Sequence, residues 1–230
     1  MTTAKPRKPR PLPAAANASA DPKRAVLEAA LPRIPREGFS ERTLKESANE
    51  AGVTTTDVAR LFPNGAQDLV AEFSAWADDE MERTLKTAKL AEMKIRDRIK
   101  AAVNDRIAAL RPHKEAARRA AAFLTLPPNA ALAATLLYRT VDGMWRAVGD
   151  TSTDFNFYTK RAILAGVYSS TMLRWFTDDS EDEKATFEFL DARIENVMQF
   201  EKFKAETLSK LPSMSDLFSR FSGRNSASAR

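Results

Sequence analysis

The stretch that follows Asp154, FNFYTKRAILAGVYSSTMLRWF, restricts the possible folds more than any other part of the chain. At helical spacing its apolar residues, among them Ile163, Leu164, Val167, Leu173 and Trp175, cover most of the circumference. Such a helix must be enclosed by other elements. Only seven glycines occur in 230 residues, and alanine-rich runs suit helices. No strand-like alternation and no repeat period is visible, so the enclosing elements are read as helices too. The expected class is all-α.

Caps and breakers divide the rest. Asp21-Pro22 opens a first helix through Ile34, with Pro35 and Gly38 as its stop. Ser40 caps a second helix to about Ala51, and a short third runs from Thr54 to Leu61. A long helix is expected from Ala66 into the low nineties, with Leu69, Val70, Phe73, Trp76, Met81 and Leu85 inward. Further helices are expected over Ile95–Leu110, Glu115–Leu124, Ala130–Val148, Asp154–Phe176 and Glu181–Leu208, with a short one after Pro212. This gives a basic tail at 1–20, read as disordered, with an atypical transit peptide as the alternative. A three-helix part follows at 21–65, then a helical core at 66–208 and a short amphipathic end at 209–230.

Composition excludes several chemistries. There is no cysteine, so neither disulfides nor thiolate chemistry is available. The one histidine, His113, is too few for a His-based triad or a di-iron site, and it follows Pro112 where a solvated turn residue is expected. No nucleotide loop is recognisable. The chain is therefore read as non-enzymatic, with no catalytic residues, no metal site and no cofactor. No run reaches the roughly 18–20 apolar residues of a membrane span.

The first three helices, with GVTTTDVARLFPNGAQDLVAEF, resemble the helix-turn-helix of TetR-type regulators, in which the third helix enters the major groove. Charge argues against that use. From Pro22 to Glu72 seven basic side chains face eight acidic ones, a net −1, and the short third helix sets Asp57 against Arg60. A DNA-reading module needs a basic face. The overall excess of +5 lies elsewhere, in the four bases of the tail and in nine bases against three acids from Lys94 to Arg119. That second cluster is read as a solvated face, or alternatively as one attracted to anionic lipid head groups.

From Arg139 onward, and above all in GDTSTDFNFYTKRAILAGVYSST, the chain resembles the coenzyme Q (ubiquinone) biosynthesis protein nine family; the resemblance extends over roughly 21–205. Members of that family are similar to TetR regulators in fold. The resemblance implies an accessory protein that binds isoprenoid lipids and associates with the di-iron demethoxyubiquinone hydroxylase at the membrane surface, expected as a homodimer without nucleic acid. It implies a bound isoprenoid or quinone, and a location at the inner membrane: cytoplasmic and peripheral in a bacterium, on the matrix side in a mitochondrion. The competing reading is a TetR-like repressor with a hydrophobic effector.

Candidate residues follow. A TetR-like C-terminal half leaves a ligand cavity, for whose wall Met144, Trp145, Leu164, Val167, Tyr168 and Met172 are the candidates. Asp150, Asp154, Phe157, Tyr158, Lys160 and Arg161 mix polar groups with aromatics and are read as a partner surface, since aromatic residues and arginine anchor binding hot spots. Animal members carry tryptophan at the position of Phe157, a larger anchor. Tyr158 and Arg161, three apart on a helix, are expected to share a face. Leu211, Met214, Leu217, Phe218 and Phe221 recur at helical spacing near basic residues and suit a bilayer interface; folding back on the domain or dimerising are the alternatives.

Overall fold

In the computed structural model, residues 21–151 and 155–210 are described. Ten α-helices follow one another among them, with no strand: α1 (Pro22–Ala30), α2 (Ile34–Glu37), α3 (Glu41–Glu50), α4 (Thr55–Leu61), α5 (Ala66–Thr87), α6 (Ile95–Leu110), α7 (Lys114–Leu124), α8 (Ala130–Ala147), α9 (Phe155–Phe176) and α10 (Lys184–Lys210). The all-α reading holds. Of the described residues, those from 21 to 81 with 108–140 form one compact unit, and 82–107 with those from 141 to 210 another.

In the first unit the helix starts are set by side chains that satisfy otherwise unpaired backbone N–H groups. Asp21 accepts from the Lys23 N–H at 2.9 Å, Ser40 from Thr43 at 3.1 Å and Thr54 from Asp57 at 3.2 Å. The start of α5 is capped from a distance, by the Glu41 carboxylate on the Ala66 N–H at 2.9 Å. That carboxylate fills the place a side chain at Gly65 would take, and Gly65 has φ +58°, so the position is doubly suited to glycine. Pro35 does not stop a helix as expected. The chain turns after Ala30 and Pro35 sits in the first turn of the separate α2, where its missing N–H costs nothing. α1 packs on α3, and α2 on α7, around Val26, Leu27, Ile34 and Leu44.

His113 is not solvated. It is half-buried, edge-on to Trp76 at 5.3 Å between ring centres, and burial lowers its pKa below the ordinary histidine value.

In the second unit α9 packs along α10, and the turn between them is heavily tied. Trp175, fully buried, donates its indole N–H to Glu183 at 2.5 Å. The Asp178 carboxylate accepts from Ser180 N–H at 2.9 Å, Ser180 hydroxyl at 2.6 Å, Thr186 N–H at 2.7 Å and Thr186 hydroxyl at 2.5 Å. Those bonds hold its pKa well below the usual carboxylate range, those from Ser180 most strongly. Asp182 and Glu183 take the left-handed conformation, with φ of 52° and 58°, which non-glycine residues adopt only where the surroundings compel it.

Candidate functional site

The end of α8 fixes the geometry of the site. Gly149, at φ +88°, donates to the Arg146 carbonyl at 3.0 Å while Asp150 donates to the Trp145 carbonyl at 2.9 Å. This pair of bonds is the Schellman arrangement that left-handed glycine permits. Arg98 of α6 adds a bond to the Val148 carbonyl at 3.2 Å. Trp145 and Asp150 are thereby held one above the other at the helix terminus.

Around that terminus lies a network of charges. Arg161 of α9 donates to Asp142 at 2.6 Å and to Asp150 at 3.3 Å. Its guanidinium also bonds the Phe157 carbonyl at 3.1 Å and lies flat over the Phe157 ring, 3.4 Å from its centre. Asp142 takes a second cation from Arg146 at 2.7 Å, and Asp150 takes Lys160 at 2.9 Å. The Arg161 side chain is only 4% exposed. Tyr158 is 68% exposed and stands edge-on to Phe157 at 5.1 Å. The expectation that Tyr158 and Arg161 share one outward face is therefore corrected. The long arginine side chain turns inward to Asp142 of α8 and to Asp150 just beyond that helix, which leave no mark on the local spacing of α9. Asp154 lies outside the described residues.

Beside this network is an apolar pocket of about 270 Å³, open to solvent. Three of the candidate wall residues, Trp145, Leu164 and Val167, line it together with Ile163 of α9. Its other walls are Ile95 and Ile99 from α6 and Ile194, Val197 and Met198 from α10. Arg96, Thr159 and Lys160 supply the polar rim. Lys160 sits over the Trp145 ring at 5.4 Å, and its carbonyl accepts the indole N–H at 3.3 Å, so the tryptophan that forms the wall is oriented by the same residues as the network. An open depression of about 480 Å³ along α9 and α10 shares Ile163, Val167 and Val197 with the pocket.

Three expected wall residues lie elsewhere. Met144 and Met172 are buried in the core, and the buried Tyr168 hydroxyl accepts a hydrogen bond from the Arg106 guanidinium. Leu211, Met214, Leu217, Phe218 and Phe221 fall outside the described residues. Among the described residues no group of three or more acidic or histidine side chains could hold a metal ion, and no single helix is long and apolar enough to cross a membrane.

The α3–α4 pair has a different surface. α4 buries none of its residues. Arg33 pairs with Glu46 at 3.1 Å and Glu50 at 2.8 Å, Arg42 with Glu46 at 2.9 Å, and Arg60 with Asp57 at 3.4 Å.

The COQ9 family model matches residues 130–201, which comprise the network and every described pocket residue except Ile95, Arg96 and Ile99. The chain is 33% identical over 180 residues to the mitochondrial ubiquinone biosynthesis protein COQ9 of Rattus norvegicus, 36% to that of Bos taurus and 34% to that of Homo sapiens. The chain is thus similar to these COQ9 proteins over three quarters of its length. Each of these alignments covers 75% of this chain and 56–57% of the relative, so the chain spans little more than half the length of the curated COQ9 proteins it matches. A solved TetR transcriptional regulator from Nitrosomonas europaea ATCC 19718 superposes with a TM-score of 0.61 at 18% identity, covering 76% of this chain and 97% of that one. The chain thus has a TetR-like fold.

Proposed function

We propose that this chain is a non-enzymatic lipid-binding accessory protein of ubiquinone biosynthesis, which holds an isoprenoid quinone precursor and presents it to the demethoxyubiquinone hydroxylase at the membrane. The observation that carries the reading is the apolar pocket beside Trp145, inside the segment the family model matches. Its volume of about 270 Å³ lies just under the ~300–1,000 Å³ typical of pockets that take a whole small ligand, so it suits part of a chain. The depression along α9 and α10 provides a path for the remainder.

In this reading Tyr158, with Phe157 behind it, is the direct anchor for the hydroxylase. Arg161, Asp150 and Lys160 hold that anchor in place rather than touching the partner. The protein would act as a homodimer at the inner membrane, on the matrix side in a mitochondrion or the cytoplasmic side in a bacterium, with 211–230 as its membrane contact. A repressor function is disfavoured because Arg33, Arg42 and Arg60 are engaged by carboxylates of the same unit rather than available for phosphates.

Native mass spectrometry of the gently purified protein, followed by incubation with quinone-loaded liposomes, tests the reading. A bound isoprenoid is the expected result. Empty protein before and after incubation would refute it.

A further inference from the structure

The rim of the pocket carries information about the head group of its ligand. Of the described residues that line the pocket, two are charged and both are cations, Arg96 and Lys160. The adjoining depression adds one more charged residue, again a cation, Arg193. No carboxylate lines either surface among the described residues. An apolar wall of low dielectric beside like-signed charges concentrates their field at the opening.

The cations differ in how firmly they are engaged. Lys160 is tied to Asp150 at 2.9 Å, while Arg193 rests on the Phe189 ring at 4.8 Å. The nearest carboxylate to the Arg96 guanidinium is that of its chain neighbour Asp97 at 3.8 Å, beyond hydrogen-bond reach. Arg96 is 41% exposed, so it can turn towards a bound head group without breaking a buried contact. Its planar fork of donors matches phosphate and carboxylate oxygens in pairs. A neutral head group would gain hydrogen bonds from this arrangement but not the attraction between opposite charges.

We infer that, besides a neutral quinone, the pocket takes amphiphiles with an anionic head group and holds them more tightly, the head bound by Arg96 in the field of Lys160 and the chain entering between Trp145, Ile163 and Val197. This rests on the proposal that the pocket binds a lipid and names the ligand class within it. The shared chemistry is a phosphate- or carboxylate-type oxyanion on an apolar chain, whether an isoprenoid ester or a membrane phospholipid.

Trp145 reports on the pocket directly, with Trp145→Phe separating its emission from that of Trp76 and Trp175. Farnesyl diphosphate and farnesol, which share a chain, are titrated against the full-length protein; vesicles of phosphatidylglycerol and of phosphatidylcholine form the second pair. The diphosphate is expected to bind at least about tenfold more tightly than the alcohol, equivalent to about 1.4 kcal/mol. Arg96→Glu should abolish that preference while retaining farnesol binding and the melting temperature, and raised salt should shrink it. Lys160→Gln, checked by the same melting curve, should reduce it in part. A preference for phosphatidylglycerol over phosphatidylcholine, sensitive to Arg96→Glu, would instead place the oxyanion on a membrane lipid. Equal affinities for diphosphate and alcohol, both reported by Trp145, would overturn the inference and leave lipid binding intact. No Trp145 response to any of the four probes would overturn both.

Discussion

The α3–α4 pair and the α8–α9 pair are both dense in charge and use it in opposite ways. In α3–α4 the arginines lie on the surface and pair with carboxylates close in sequence, with Arg42 and Arg60 70–77% exposed. In α8–α9, Arg161 reaches back 19 residues to Asp142 and is buried with both its partners. Exposed pairs are screened and contribute little; a buried cation shared by two carboxylates is costly to break, because the carboxylates left behind keep only their outer cations, Arg146 and Lys160. The contrast separates a surface of screened pairs from a buried network. In α3–α4 the cations are engaged by carboxylates of their own unit, while the α8–α9 charges orient Trp145 at the pocket and Phe157 beneath the exposed Tyr158.

The largest effect expected is at Arg161. Arg161→Ala should cost on the order of 3–5 kcal/mol in a denaturant titration, because Asp142 and Asp150 lose their common cation in a buried setting. Arg42→Ala in the same titration should leave the midpoint unchanged. Similar midpoints for the two variants would erase the distinction between the regions.

Asp178→Ala should come next, at about 2 kcal/mol, since the buried Thr186 hydroxyl and N–H lose their acceptor. The pH dependence has a definite sign. The folded-state pKa of Asp178 lies below the unfolded value of about 3.9, so its contribution is present above that pH and is lost as the pH falls below it. Acid unfolding curves of Asp178→Ala should accordingly converge with those of the parent towards low pH.

Filling the pocket sharpens the comparison from the other side. Ile163→Trp should weaken uptake of a farnesyl chain by about tenfold, with far less loss of stability than Arg161→Ala, because the pocket is open and can accept the ring. Unaltered uptake would move the ligand elsewhere.

The smallest effect belongs to His113 in the first unit. Its pKa is lowered by burial against Trp76, so the folded protein takes up its proton less readily than the unfolded chain. Stability should therefore be full above pH ~6.5 and decline modestly below it. His113→Phe should flatten that slope in melting curves between pH 8 and pH 5.5.

What the sequence disclosed, and what it hid, follows the range of the interactions. Asp21 and Ser40 were legible because a cap acts within a few residues of itself, and the helix Ile95–Leu110 was legible ahead of its breaker Pro112. Pro35 was misread because proline is forbidden inside a helix but welcome in its first turn. The pocket was half legible. Trp145, Leu164 and Val167 belong to the segments the family pattern marks, but the opposite wall comes from α6 and α10, where Ile95 with Ile99 and Ile194 with Val197 and Met198 recur at helical spacing among charges. That spacing was the available signal. Tyr168 and Arg161 were placed by hydrophobic character and by face, and each was instead captured by a partner far away in sequence, Arg106 and Asp142.

The central claim, that the pocket of the second unit holds an apolar chain, is tested most directly by photo-crosslinking with a diazirine-tagged farnesyl probe and mapping of the labelled peptides. The account predicts labelling on α9 and α10 at Ile163, Val197 and Met198, competed away by untagged farnesyl chains and lost in Ile163→Trp. Saturable labelling confined to other peptides, or none in protein that melts normally, would contradict it.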